Sequence, residues 1–262
     1  MKQESTDTCV RVLWTGGWDS TFRVLYATLV DGRRVEPHYI IDTGRPSSLH
    51  ELRAISRIRD SLRMYNKEAY ERVSDLQITP QNEIPKDAEI TNCWKRLKQR
   101  IDLARQYDWI ARYAKSRNLT DLELCVVRDG HIHSLLKANV ERTPVGIYRL
   151  KRDVAGDDGR EVFGRFEFPT FEYAKAQMRD IAKEQGFLEL LEQSWFCHEP
   201  INRRPCGMCN PCVIAVEEGM RYRLTRTALF RHHLVQFVRK SPLSKVKLPR
   251  QIYHFIRQGA KS

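Results

Sequence analysis

A run of small and polar residues follows the first apolar segment of the chain, and its composition suits phosphate binding. Thr15-Gly16-Gly17-Trp18-Asp19-Ser20-Thr21 comes directly after Val10–Leu13. Adjacent glycines let consecutive backbone N–H groups turn toward one anion, and the N-terminus of a following helix favours negative charge. Asp19 would be repelled by phosphates unless it binds Mg2+ or orients the loop. The pattern predicts a nucleotide with Mg2+, with a plain strand-to-helix turn as the alternative.

Four cysteines near the end of the chain have the spacing of metal ligands. They are Cys197, Cys206, Cys209 and Cys212. Four thiolates typically form a closed tetrahedral zinc site without an open position for water, so a structural Zn2+ is predicted. A C-x-x-C-x-x-C run can also hold an iron–sulfur cluster, and that alternative stays open. The scattered Cys9, Cys93 and Cys125 are interpreted as small buried residues.

Length and polarity bound the class of protein. A chain of 262 residues can form one large α/β domain with an appendage. Residues 1–8 are polar and no long apolar run follows them, so neither a signal peptide nor a membrane span is predicted. We therefore expect a cytoplasmic protein, in which clustered cysteines bind metal rather than form disulfides.

The positive charge of the chain is concentrated at its C-terminal end. The formal net charge is +12, and residues 219–262 contain eleven Lys and Arg residues but no acidic residue. Apolar residues alternate with these cations, which indicates a folded, helical extension with helices on both sides of Pro242. A polyanionic partner, either nucleic acid or an acidic protein surface, is one interpretation; a basic face without a specific partner is the other.

Apolar periodicity predicts an alternation of strands and helices. Strands are expected near Val10–Leu13, 38–41, 71–78, 122–127 and 164–168, and helices over 21–30, 48–66, 93–116 and 171–185. Such alternation is typical of a doubly wound, mainly parallel α/β sheet, in which ligands bind beyond the carboxyl ends of the strands. Arg128 and Asp129, after the fourth predicted strand, are therefore candidates for contact with the substrate. His232 and His233 are expected at the surface.

The loop and the cysteines together resemble a known family. T-G-G-W-D-S-T is similar to the S-G-G-x-D-S loop of the PP-loop ATP pyrophosphatases, with Thr15 in place of serine. Ser194-Trp195-Phe196-Cys197 and the run Cys206–Cys212 resemble the zinc segment of the 7-cyano-7-deazaguanine synthases in that superfamily. Phe168-Pro169 and the helix bearing Lys175 resemble that family's late strand and helix. Residues 80–160 lack the family's substrate loops, so the resemblance implies ATP use more directly than it implies the substrate.

The resemblance implies a HUP-like PP-loop fold and a set of site residues. Asp19, Ser20 and Lys175 are the implied catalytic residues. The implied nucleotide-binding residues are Leu13, Trp14, Thr15, Gly16, Gly17, Trp18, Asp19, Ser20, Thr21, Ile41 and Gly44. The predicted organisation is a disordered N-terminus over 1–8, an ATP-binding α/β domain over 9–196, a zinc segment over 197–218 and a basic extension over 219–262.

Three functions compete at this stage. The first is a ligase that adenylates a carboxylate such as 7-carboxy-7-deazaguanine, releases pyrophosphate and forms an amide or nitrile with ammonia or an amine. The second is a divergent relative that attaches or modifies a deazaguanine-type base on a protein or nucleic acid. The third is a non-enzymatic, zinc-bearing nucleic-acid-binding module. Thiolation of tRNA is a further PP-loop chemistry, for which only Cys93 or Cys125 could serve as the reactive thiol. A homodimer is compatible with each.

Overall fold

The computed structural model describes residues 9–128, 130–151 and 157–240, with side chains except at 157 and 238–240. Within these ranges the chain forms an α/β fold with one seven-stranded sheet. The strands are β1 Val10–Leu13, β2 Val35–Ile41, β3 Gln77–Pro80, β4 Leu122–Glu123, β5 Val140–Arg142, β6 Tyr148–Leu150 and β7 Phe166–Phe168. The predicted N-terminal segment 1–8, Asp129, and the part of the basic extension beyond residue 240 lie outside the described residues.

Helices connect most of the strands. In chain order they are α1 Trp18–Leu29, α2 Ser48–Tyr65, α3 Lys67–Glu71, α4 Ala88–Arg100, α5 Gln106–Ser116, α6 His131–Leu136, α7 Asp157–Phe163, α8 Lys175–Glu184, α9 Leu188–Leu191, α10 Asn210–Glu217 and α11 Arg226–Lys240. Short 3-10 turns occur at Gln81–Glu83 and Arg221–Arg223. Among the described helices, none is long and apolar enough to cross a membrane.

The sheet order is β3-β2-β1-β4-β7-β6-β5. The five strands from β3 to β7 in this order pair in parallel, and β6 and β5 add an antiparallel edge. The prediction of a doubly wound, mainly parallel sheet is thus confirmed for its parallel part. The antiparallel edge was not predicted, because β5 and β6 are short and most of their residues are only half-buried.

Three predicted elements are wrong in extent. Of the strand predicted over 122–127, only Leu122–Glu123 form a strand, β4. Of the strand predicted over 71–78, only residues 77 and 78 belong to a strand, β3, since α3 ends at Glu71 and Val73 forms only an isolated bridge. Asn66 caps α3, and its side chain accepts from the Ala69 N–H at 2.9 Å. The helix predicted over 93–116 is two helices, α4 and α5. The break between them buries Leu103 and is held by the Trp94 indole N–H, which donates to the Ala104 carbonyl at 3.1 Å.

Apolar side chains pack between the helices and the central strands. α4 packs against α5 and α7, and α1 packs against β1, β2, α8 and α9. Fully buried aromatic residues fill these layers, with Trp14, Tyr39, Phe163, Phe168, Phe171 and Phe187 among the largest. Burial of such side chains provides most of the driving force for folding and fixes the strands whose ends carry the candidate site.

The chain divides into two compact units. The first comprises the residues up to Thr43 together with Leu52–Ser194, and it contains the sheet. The second comprises, among the described residues, Gly44–Glu51 and residues 195–240, and it contains the four cysteines and α11.

Candidate functional site

The loop between β1 and α1 turns sharply because Gly16 adopts a left-handed conformation. Its φ is +68°, a region that is strained for residues with a Cβ atom. Gly17 then acts as the N-cap of α1 in an extended conformation, with φ −77° and ψ 171°. The chain therefore passes directly from the end of a strand to a helix N-terminus, a position that favours an anion.

The loop is held in shape by its own side chains. The Thr15 N–H donates to the Ser20 hydroxyl at 3.2 Å, and the two hydroxyl groups of Thr15 and Ser20 lie 3.2 Å apart. The Trp14 indole N–H donates to the Thr21 hydroxyl at 3.0 Å. Because Ser20 is buried and bonded in this way, its hydroxyl is placed to fix the loop rather than to act as a nucleophile.

The loop lies at the switch point of the sheet. β1 pairs in parallel with β2 on one side and with β4 on the other. After β1 the chain adds β2 and β3 on one side of β1, and it then crosses to the other side to form β4. Ligands of open α/β sheets bind at such a point, beyond the carboxyl ends of the strands. The residues after β1 and after β4 therefore face the same crevice.

Asp19 is electrostatically linked to residues from two other elements. Burial raises the pKa of the Cys125 thiol well above its ordinary value, and the carboxylates of Glu123 and Asp19 add to the rise. Burial also raises the pKa of Tyr107, at the start of α5, and Asp19 contributes to that rise. These effects place Asp19, Tyr107 and Cys125 in one neighbourhood, with the half-buried carboxylate of Asp19 as its acidic member.

An ion pair beneath the loop fixes α1 to β4. The Arg23 guanidinium donates two hydrogen bonds to the Glu123 carboxylate, at 2.7 and 2.8 Å, and both side chains are buried. Arg23 also pairs with Asp31 at 3.1 Å. The arrangement sets where the helix N-terminus lies relative to the end of β4, since a bidentate pair restricts both distance and orientation.

Lys175 is the first residue of α8 and is half-buried. α8 packs against α1, and the ring of Phe22 in α1 lies 5.9 Å from the ring of Tyr173, just before α8. The Arg128 N–H donates to the Tyr173 carbonyl at 3.0 Å, which joins the segment after β4 to the approach to α8. The predicted residues Arg128 and Lys175 thus belong to elements that are connected to one another in the first unit.

The remaining predicted nucleotide residues divide between the units. Ile41 is the last residue of β2, next to β1 in the sheet. Gly44 belongs to the second unit, with Arg45 and Glu51. There the Arg45 guanidinium and the Ser47 hydroxyl both donate to the Glu51 carboxylate at 2.7 Å, which fixes the turn that begins α2.

The four C-terminal cysteines converge on one point. They are all buried, and their sulfur atoms lie within 4.8 Å of one another. The Cys197–Cys209 and Cys206–Cys212 sulfur pairs are 3.8 and 3.9 Å apart. A regular tetrahedron of Zn–S bonds of about 2.3 Å has sulfur atoms about 3.8 Å apart, so the residues present fit one zinc ion. A [4Fe–4S] cluster would bind each thiolate to a different iron and hold the sulfurs farther apart.

Backbone N–H groups and helix α11 contact this cysteine site. The N–H groups of Met208 and Cys209 donate to the Cys206 sulfur at 3.3 and 3.2 Å, as expected around a thiolate ligand. The Arg231 Nε–H, from α11, donates to the Cys206 carbonyl at 2.8 Å. Gly207, with φ +82°, lies so close to α11 that a Cβ there would overlap the Ala228 carbonyl oxygen. The cysteine site therefore docks α11.

Cys93 and Cys125 do not have the surroundings of reactive thiols. Burial raises the pKa of Cys93, as it does that of Cys125, whereas a nucleophilic cysteine requires a lowered pKa. The Arg96 guanidinium contacts the Cys93 sulfur at 3.2 Å, but Asp158 neutralises that guanidinium at 2.6 Å. Both thiols are therefore protonated at neutral pH.

Several of these site features were not predicted from the sequence. Arg23 and Glu123 are 100 residues apart, and nothing in a single sequence pairs them. Tyr107 lies in a segment whose apolar pattern indicates only a helix. His232, expected at the surface, is buried against the second unit's interior. The tight turn at Gly207 follows from its position between Cys206 and Cys209, but the close approach of Gly207 to Ala228 was not predicted.

Comparison with known proteins adds little to this geometry. No protein-family model matches the chain, and no curated protein matches it. A solved structure described as a 4-thiouridine synthetase–RNA complex with bound ATP aligns with 86% of this chain and 52% of that chain, at 14% identity and a TM-score of 0.36. This chain thus spans about half the length of that protein. A TM-score this low establishes no shared fold, so the α/β assignment depends on the sheet itself.

Proposed function

We propose that this chain is an ATP-dependent ligase of the PP-loop type, which binds Mg-ATP in the loop between β1 and α1. The supporting observation is the position of that loop at the β1/β4 switch point, with Gly16 in a left-handed turn and Asp19 half-buried beside it. The β and γ phosphates would bind the N–H groups at the start of α1, which leaves the α-phosphorus facing the crevice. Asp19 would hold Mg2+, which neutralises charge on the phosphates.

The reaction requires no protein nucleophile. A substrate carboxylate attacks the α-phosphorus, the bond to the β-phosphate oxygen breaks, and pyrophosphate leaves. Ammonia or an amine then attacks the acyl carbon and displaces AMP, which gives an amide. A second adenylation, on the amide oxygen, followed by loss of AMP would give a nitrile. Lys175 would stabilise the charge on the departing pyrophosphate, and Ser20 would keep the loop in shape.

The substrate proposed for this chemistry is 7-carboxy-7-deazaguanine, by the resemblance of the loop and cysteine segment. The alternative is the same adenylation chemistry applied to a base on a macromolecule, which the basic extension favours. The raised pKa values of Cys93 and Cys125 argue against thiolation, because neither thiol is poised as a thiolate.

The test is mass spectrometry of a reaction with zinc-loaded protein, Mg-ATP, ammonium and 7-carboxy-7-deazaguanine, scoring AMP and the base product. We expect AMP together with an amide or nitrile. Asp19→Asn should reduce AMP formation by at least about 100-fold, the loss typical of removing a group that stabilises a transition state. The matched control is Asp60→Asn, which removes an exposed carboxylate from α2 and should retain full activity. Equal turnover in the two variants would refute the assignment of Asp19.

Other outcomes of the same experiment separate the alternatives. The protein could bind ATP but form AMP only after RNA, DNA or protein is added. That result would show that the acceptor is a macromolecule rather than a small molecule. Failure to bind ATP would leave a non-enzymatic binding module that retains the loop as a scaffold.

We propose that the four cysteines hold a structural zinc ion. Elemental analysis of the purified protein should give about one zinc per chain, with no iron. Cys212→Ser should abolish the bound zinc and destabilise the second unit, because metal binding and folding are coupled at such sites. Cys9→Ser removes a cysteine that is not among the four and should leave the zinc content unchanged.

A further inference from the structure

Helix α11 exposes a row of large apolar side chains. Phe230, Leu234 and Phe237 are 69%, 38% and 73% exposed, and their spacing of four and three residues places them on one side of the helix. We call these three residues the α11 face. Tyr222, in the 3-10 turn before the helix, is also half exposed at 51%. Clustered exposed apolar residues of this kind are typical of interaction sites.

The opposite side of α11 is fixed to the cysteine site. Ala228 is fully buried and His232 is buried, while Arg231 is hydrogen-bonded to the Cys206 carbonyl. The helix cannot rotate to bury Phe230 and Phe237 without breaking these contacts. Within the described part of the second unit, the α11 face therefore lies on the side of the helix away from the cysteine site.

The charge around this face restricts the partner. Residues 219–237 contain four arginines and no acidic residue, and Arg221 and Arg226 are exposed. A second copy of the chain would bring the same cations against these, so charge repulsion opposes self-association here. An anionic partner is complementary.

The aromatic rings distinguish among anionic partners. Phe230 and Phe237 are seven residues apart on one helix, or about 10 Å along its axis. That distance corresponds to roughly three stacked nucleotides at about 3.4 Å each. Exposed rings beside arginines are the usual means of binding unpaired bases, since every base has a face that stacks on an aromatic ring. Carboxylates of an acidic protein would use the cations but would leave the projecting rings in water.

We propose that the α11 face binds single-stranded nucleic acid, with Phe230 and Phe237 stacking on bases and the neighbouring arginines contacting phosphates. The proposal extends the macromolecular alternative of the proposed function but does not require ATP chemistry. Asp19→Asn should therefore leave this binding unchanged even if it abolishes AMP formation.

The test is fluorescence anisotropy of the full-length, zinc-loaded protein with labelled single-stranded RNA and DNA of about 16 nucleotides. Phe230→Ala/Phe237→Ala should weaken binding at least about tenfold, because each stacked base contributes to affinity. The matched control is Met64→Ala/Val145→Ala, which truncates two side chains of similar exposure, 87% and 71%, in the first unit. It should bind like the wild type. Circular dichroism and zinc content verify that each variant is folded.

Three further ligands make the result decisive. Heparin is a polyanion without bases, polyglutamate represents an acidic polypeptide, and duplex DNA has no exposed base faces. We expect the wild-type protein to bind all three ligands more weakly than it binds the single strands. The Phe230→Ala/Phe237→Ala variant should bind heparin with the same affinity as the wild type. Equal oligonucleotide affinity of the phenylalanine variant and the wild type would overturn the proposal. The proposal would also be overturned if the protein bound polyglutamate or duplex DNA more tightly than single strands, or did not bind single strands.

Discussion

The His50 imidazole stacks on the Trp195 indole, with ring centroids 4.6 Å apart and planes inclined by 20°. His50 lies at the start of α2, and Trp195 comes two residues before Cys197, the first of the four clustered cysteines. The Trp195 indole N–H donates to the Cys197 carbonyl at 2.7 Å. One ring thus links the turn over Gly44–Glu51 to the backbone of the cysteine site.

This link predicts a graded effect of two substitutions on metal retention. Trp195→Phe keeps a ring against His50 but removes the N–H donor, whereas Trp195→Ala removes both. We expect zinc to dissociate faster from Trp195→Ala than from Trp195→Phe, and faster from both than from the wild type. A chelator-competition assay measures the rates. Indistinguishable rates in all three proteins would mean that the ring does not support the ligand backbone.

Gly207 and Gly219 form a matched pair of left-handed glycines. Their φ values are +82° and +78°, but a Cβ at Gly219 would meet nothing within 4 Å. Gly219→Ala should therefore cost only backbone strain, about 1 kcal/mol. Gly207→Ala should cost more than about 3 kcal/mol, because the methyl group also displaces α11 at Ala228.

Thermal unfolding of both glycine variants, with and without zinc, measures this difference. In the zinc-loaded protein, Gly207→Ala should be more destabilising than Gly219→Ala. This difference should become smaller when the metal is removed, because the cysteine site then no longer holds α11. Equal destabilisation of both variants would contradict the close approach of Gly207 and Ala228.

The buried Arg23–Glu123 pair predicts a strong loss of stability when either partner is removed. Glu123→Gln removes the negative charge that faces the buried Arg23 guanidinium, while the pair with Asp31 remains, and should cost about 3–5 kcal/mol. The double replacement Arg23→Met/Glu123→Met should recover much of that loss, because no charge is left buried. The control is the exposed Arg11–Asp121 pair at 2.6 Å, where Asp121→Asn should cost at most about 1 kcal/mol. Chemical denaturation provides the free energies.

His38 predicts a dependence of stability on pH. Burial lowers its pKa in the folded protein, against the opposing effect of Glu36, and its Nδ1 lies 2.7 Å from the Tyr113 hydroxyl. Arg11 and Arg117 also lower this pKa, and Asp121 raises it. Below pH 6.5 the unfolded chain binds a proton at His38 before the folded chain does, so the free energy of unfolding falls as the pH falls.

His38→Asn should reduce this dependence below pH 6.5, where one such group contributes a slope of at most about 1.4 kcal/mol per pH unit. A smaller slope should remain, because burial also lowers the pKa of His198. The matched control is His131→Asn, which replaces an exposed histidine in α6. An equal loss of slope in the two variants would contradict the assignment to His38. An unreduced slope in His38→Asn would assign the proton uptake to another group.

The features predicted correctly from the sequence are local. β1, the glycine loop and α1 follow from a few consecutive residues, and the cysteines are recognised by short spacing. The break after α4 was missed because no glycine or proline marks it; burial of Leu103 and the hydrogen bond from Trp94 define it. The association of Asp19 with Tyr107 and Cys125 depends on three separate elements. Such tertiary relationships are absent from local periodicity.

The Arg23–Glu123 pair also bears on how the chain reaches its strand order. β1 and β4 are neighbours in the sheet, although β2 and β3 separate them in the chain. A folding chain that added β4 to a different strand would bury Glu123 without its guanidinium, at a large electrostatic cost. The pair therefore penalises mispaired intermediates, and its removal should increase the fraction of chains trapped in them during refolding.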